Sequence, residues 1–151
     1  MKYIIPVLAL IIFSCESRKE NGPVTKPEPF SKTHVNPHNG YSEAVAVQTE
    51  NVNTIYISGQ VGEGEDFEAQ FRDALSKLFK TLEASGATFD DVVKYNTYIV
   101  DYKPEYLDAF RKVRKELLGD SEMPASTLVG VDALGLESWG VEIEAIAVIP
   151  N

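Results

Sequence analysis

The chain has 151 residues, 44% of them hydrophobic and 25% charged, with a formal net charge of −9. That is enough for one globular domain with one core, and the acidity opposes nucleic-acid backbone binding, which depends on clustered lysine and arginine. The single cysteine excludes an internal disulfide.

In chain order, Met1-Lys2 is followed by Tyr3 to Phe13, almost wholly apolar, and then by Ser14 and Cys15. A charged start, a short apolar run and a small residue before the cut are features of a signal peptide. The run is about half the ~20 residues that cross a bilayer as a helix, so it does not read as a permanent span. Ile12-Phe13-Ser14-Cys15 resembles a bacterial lipobox. That resemblance implies a signal peptide over residues 1–14 and a lipid on Cys15. The domain would then be anchored through its N-terminal lipid in the bacterial cell envelope, on the periplasmic or surface side. A plain secretory signal with an incidental cysteine is the rival reading. Residues 15–35 are mostly polar and carry Pro23, Pro27 and Pro29, so little apolar burial offsets their ordering entropy and they read as a tether. The folded domain is expected over residues 36–151.

Ala44 to Thr49 and Thr54 to Gln60 are β-rich runs separated by Glu50 to Asn53, as in a hairpin. A short extra strand before Ala44 fits the same pattern. Gly62 to Glu65 form a glycine-acidic loop, and Asp66 is the expected N-cap of a first helix. In that helix Phe67, Phe71, Leu75, Leu78 and Leu82 share one face, and Gly86 stops it. Val92 to Val100 reads as a strand whose alternation is blurred, the expectation being that both of its faces are covered. Pro104 opens a second helix with Leu107, Phe110, Val113, Leu117 and Leu118 inward, ended by Gly119. Lys77, Lys80, Arg111, Lys112, Arg114 and Lys115 alternate with acids at helical spacing and are expected on solvated helix faces. Two last strands cover Thr127 to Val131 and Val141 to Val148. The order β-β-α-β-α-β-β implies an α+β layer, a mixed sheet with helices on one face. In the last strand Val141, Ile143, Ala145 and Ala147 face one side; Glu142, Glu144, Ile146 and Val148 face the other. His34 and His38 read as loop residues without further ligands at metal spacing, so no metal and no cofactor is expected.

Seven segments, in this order, resemble the RidA/YjgF family of imine and enamine deaminases. They are Asn36-Pro37 with Gly40-Tyr41-Ser42; Tyr56 to Gly62; Gln70 with Ala74-Leu75; and Ser85 to Ala87 with Asp91 to Lys94. Tyr98 to Asp101, Pro124 to Val131 and Glu142 to Val148 complete the set. The resemblance covers about residues 36–148. It implies a chorismate-mutase-like mixed β-sheet backed by two α-helices, a homotrimer, and small-molecule sites in the clefts between subunits. A chain this short with one open sheet face also invites a partner on that face.

The implied chemistry is hydrolysis of a 2-imino or 2-enamino acid to a 2-keto acid and ammonia. By position, Glu142 matches the family's glutamate, which holds or deprotonates water. Tyr41 matches the tyrosine lining the cleft, and Ser58-Gly59 the strand backbone beside it. Ser126 stands where the family's deaminases carry the arginine that grips the substrate carboxylate, with Thr127 next to it. A planar guanidinium suits a carboxylate far better than a serine hydroxyl does. Two functions follow as expectations: a hydrolytic deaminase without the usual grip, or a small-ligand-binding lipoprotein on the same fold that catalyses little. Arg111 and Arg114 are set aside as replacements because they fall on the polar side of the second helix. Each site residue also has an ordinary reading: a solvated carboxylate, a packing tyrosine, a strand end, plain β-strand hydroxyls.

Overall fold

The structure is a computed structural model and describes residues 30–151. Its strands are β1 (Ser31–Pro37), β2 (Ser42–Gln48), β3 (Val52–Val61), β4 (Val92–Val100), β5 (Ala125–Val131) and β6 (Val141–Pro150). The helices are α1 (Phe67–Ala84) and α2 (Tyr106–Leu118), and a short 3₁₀ turn precedes β4. The extra strand before Ala44 is present as β1. It begins at Ser31, inside the segment read as tether, and it holds His34, read above as a loop residue. The signal segment and Cys15 lie outside the described residues.

The sheet runs β1-β2-β3-β6-β4-β5, antiparallel throughout except for the parallel pair β4–β5. Two crossovers build it: β3 passes through α1 to β4, and β4 through α2 to β5. Both step in the same direction across the sheet. Because such crossovers are right-handed, both helices fall on the same face, and β6 fills the gap between β3 and β4. The expected α+β fold, a mixed sheet with two helices on one face, is what forms.

α1 starts where Asp66 accepts a hydrogen bond from the Ala69 N–H at 2.8 Å. It ends at Ser85, followed by Gly86 with φ of 76°, a left-handed conformation that glycine adopts without strain. Its apolar stripe of Phe71, Ala74, Leu75, Leu78 and Leu82 lies against Ile55 and Ile57 of β3 and Val141, Ile143 and Ala145 of β6, all buried. Burying one leucine contributes about 1.5–3 kcal/mol, so this contact is the main support of the fold. α2 adds Phe110 and Val113 to the same core, with the Phe71 and Phe110 rings stacked 4.7 Å apart.

β4 corrects one expectation. Its blurred alternation comes from a register shift between Val92 and Lys94 against β6, which leaves Val93 exposed. From Tyr95 on it alternates cleanly, with Tyr95, Thr97 and Ile99 buried on the helix face and Asn96 and Tyr98 on the other. β6 alternates throughout as expected, with Val141, Ile143, Ala145 and Ala147 buried. The opposite face has no helix over it, and within one chain it leaves Tyr56 half exposed and Val129 exposed.

Candidate functional site

A cavity of about 590 Å³ lies where the C-terminal end of β3 runs past β2. Three residues from Ile57 to Gln60 on β3 span two from Ala145 to Ile143 on β6. This is a β-bulge, which bends the strand and re-aims the residues at it. Ser58 and Gly59 are the bulged residues. After the bulge Gln60 turns into the core while Ser58 and Gly59 border the cavity.

Glu142 sits opposite Val61 on β6 and reaches back over the bulge. A Cβ built on Gly59 would lie 1.6 Å from Glu142 Oε1. Glycine at position 59 therefore makes the room the carboxylate occupies. Among the described residues no side chain hydrogen-bonds or ion-pairs with Glu142. Burial, and then the nearby Glu144 carboxylate, raise its proton affinity above that of an ordinary glutamate. Glu144 is satisfied: it accepts hydrogen bonds from Asn96 Nδ2 at 2.8 Å and from the Tyr98 hydroxyl at 2.7 Å. The two carboxylates on one strand face thus differ in kind. Glu144 is held in place, and Glu142 is free to take a proton.

Tyr41 stands at the rim, 57% exposed, stacked on His38 with ring centroids 4.8 Å apart. Ser58 borders the cavity, but its hydroxyl donates to the Ser42 carbonyl at 2.7 Å and so ties β3 to β2. Glu43 forms the polar floor. It accepts from Asn36 Nδ2 at 2.9 Å, pairs with His38 Nε2 at 3.1 Å and lies 3.4 Å from Thr81 Oγ1. Those hydrogen bonds, Asn36 first, hold its carboxyl below the ordinary glutamate value. Lys77 donates to the Val61 carbonyl at 2.9 Å and pairs with Asp73 at 2.9 Å, closing the exposed end of β3. Lys80 also lines the cavity and has no ion pair among the described residues.

The structure brings together Tyr41, Ser58, Gly59 and Glu142. It does not bring Ser126 or Thr127 to them. Glu142 shares a row with Tyr98 and Val129, whereas Ser126 pairs with Tyr95, three residues along and two strands across. Strand spacings put the two roughly 14 Å apart. Ser126 and Thr127 also face opposite ways. Ser126 shares the helix side with Tyr95 and Leu128, while Thr127 lies on the open face and accepts from Lys94 Nζ at 2.5 Å.

Arg114 departs from its expected place. Arg111 is on the solvent side, its side chain 69% exposed, but Arg114 turns inward. Its guanidinium lies 5.0 Å from the Phe110 ring centroid and 5.9 Å from that of Tyr95. Its Nε is buried and finds no hydrogen-bond acceptor. Such an unpaired buried donor costs about 1–3 kcal/mol. The sequence held a signal for this placement: Arg114 follows Val113 and is four residues after Phe110, on the border of the apolar stripe.

The fold and this site define a class of small α+β domains: a six-stranded mixed sheet, two helices on one face, and a glutamate over a strand bulge. Residues 31–149 match the family model described as Endoribonuclease L-PSP, and the chain belongs to this family, the RidA/YjgF family. A 2-iminobutanoate/2-iminopropanoate deaminase from Dermatophagoides farinae is 38% identical over 117 residues, covering 72% of this chain and 85% of that protein. The RutC family protein YjgH of Escherichia coli is 35% identical over 103 residues, 64% of this chain and 76% of that one. The crystal structure of Rv2704, a YjgF-family member from Mycobacterium tuberculosis, superposes with a TM-score of 0.65 at 31% identity. It covers 79% of this chain and all of that one.

Proposed function

We infer that the protein hydrolyses small imines or enamines to carbonyl compounds and ammonia. The observation that carries this reading is Glu142, an unpartnered carboxyl of raised proton affinity over the Gly59 bulge, in a cavity of about 590 Å³. A general base works best when its proton affinity approaches that of the medium, and burial moves Glu142 that way. Glu142 takes a proton from water as the oxygen adds to the C=N carbon. With the imine nitrogen protonated at the start, this gives a neutral carbinolamine; Glu142 then passes its proton to the nitrogen, and as the C–N bond breaks and ammonia leaves, the carboxylate takes the hydroxyl proton and the carbonyl forms. Tyr41 forms the mouth of the cavity. The similarity to a protein named as an iminobutanoate/iminopropanoate deaminase supports this chemistry.

Within one chain the Glu142 cavity and the Ser126 edge are separate, which favours a site completed between copies in a homotrimer. The apolar run before Cys15 supports a lipid-anchored place in the bacterial cell envelope, and Cys15→Ser should then move the protein from the membrane to the soluble fraction. Ser126 favours a second reading, a binding module that turns over little, because losing a bidentate grip on a buried carboxylate costs about 2–5 kcal/mol.

One assay separates these readings. An amino-acid oxidase generates 2-iminobutanoate, and imine loss is followed with and without the purified protein. Acceleration that Glu142→Gln lowers by roughly 100-fold or more is expected of the deaminase. No acceleration by the wild-type protein, with activity appearing in Ser126→Arg, would establish the binding module instead.

A further inference from the structure

Three arginines lie among the described residues. Arg72 pairs with Glu68 and Glu116, and Arg111 with Asp108. Arg114 has no carboxylate partner among the described residues, although the chain carries 23 acids against 14 basic residues. Its position is fixed by packing, because the Phe110 and Tyr95 rings lie beneath its guanidinium and its Nε is buried. The Tyr95 hydroxyl is likewise buried without a partner. Arg114 borders a cleft of about 280 Å³ between the end of α2 and the segment leading into β5, with Arg111, Lys115 and Ser121 around it. Arg111 and Lys115 are already paired, with Asp108 and Asp120, so Arg114 is the cation of this cleft left without a carboxylate, and a guanidinium held in place on aromatic faces is what a carboxylate requires.

On the β5 side the cleft is lined by Met123, three residues before Ser126 in the chain. Ser126 is the direct partner of Tyr95 on the neighbouring strand, on the same sheet face as the ring that Arg114 covers. We propose that Arg114 is the carboxylate-binding residue of this protein, gripping a small anionic ligand at the β5 edge where the strand itself offers only Ser126. The cation comes from the helix beneath the strand. The identity of the ligand as a 2-imino acid, with its 2-oxo acid product, rests on the deaminase reading above; the anion grip does not.

The test uses the full-length protein and 2-oxobutanoate as probe, with neutral 2-butanone as control. Titration is followed by calorimetry and by the Arg114 Nε–H resonance in ¹⁵N-labelled protein. The wild type should bind 2-oxobutanoate and not 2-butanone, with a shift of that resonance. Arg114→Gln should weaken binding at least about 30-fold, and Arg114→Lys by less, because the charge stays while the fork is lost. Should Arg114→Gln fail to fold, the wild-type resonance and Arg114→Lys still decide. The proposal is overturned if 2-oxobutanoate leaves the resonance unmoved, or if folded Arg114→Gln binds as tightly as wild type. A shifted resonance without imine turnover sinks the deaminase reading and keeps the Arg114 grip. Turnover that Arg114→Gln leaves unaltered does the reverse.

Discussion

Glu142 and Glu144 show how two identical side chains on one strand face acquire different chemistry. Asn96 and Tyr98 satisfy Glu144, while Glu142 is left in a half-closed cavity with no donor. For a carboxyl whose proton affinity is raised, the ionised form is lost at a higher pH than for an ordinary glutamate. The base must be ionised to act, so the acid limb of kcat/KM should begin at correspondingly higher pH. Glu144→Gln removes the like charge that contributes to the rise, so it should move that limb to lower pH, leaving the part due to burial. A pH profile of imine hydrolysis checks both the limb and its direction of movement. The alternation of β6 placed Glu142 on the open face from sequence alone. Its missing partners, and the Gly59 backbone beneath it, are tertiary facts. Charge alone assigns Arg114 to the polar side of α2, whereas a long guanidinium at the border of the stripe packs on aromatic rings.

At the level of elements, α1 holds the site together. Its inner face anchors β3 and β6 on either side of the bulge, and it supplies Lys77, Lys80 and the buried Thr81 to the cavity. Leu78 is fully buried at the centre of that contact. Leu78→Ala should cost about 2–5 kcal/mol through lost burial and the void left behind, lowering the melting temperature by roughly 5–15 °C in a thermal denaturation scan. α1 was legible in sequence because its stripe, N-cap and terminal glycine agree. β1 was less so: its residues are mostly exposed, and an edge strand held chiefly by backbone pairing leaves little hydrophobic pattern. The bulge was also hidden. Thr54 to Gln60 reads as one continuous strand, and only pairing against β6 shows the extra residue.

For the whole molecule, the uncovered sheet face is the surface that the proposed homotrimer would bury. Tyr56, Ile146, Val148 and Val129 lie on it, together with the paired Glu144. In the proposed homotrimer this face is the one that meets neighbouring copies. Ile146→Lys sets a second cation directly opposite Lys94 in the middle of that face, where burying like charges together is costly. It should convert a trimer to monomers in sedimentation velocity while leaving the far-ultraviolet circular dichroism unchanged. A wild-type protein that sediments as a monomer would refute the trimer.

Periodicity, capping residues and the ordered family segments determined the α+β class, both helices, the two faces of β6 and the family itself. These are local or linear properties, set by which residues recur every two or every three to four positions. Tertiary structure alone decided the rest: that Tyr41, Ser58, Gly59 and Glu142 share a cavity, that Ser126 stands apart from it, and that Arg114 lies against Tyr95. Each of these depends on strand order and register, which bring together residues far apart in the chain.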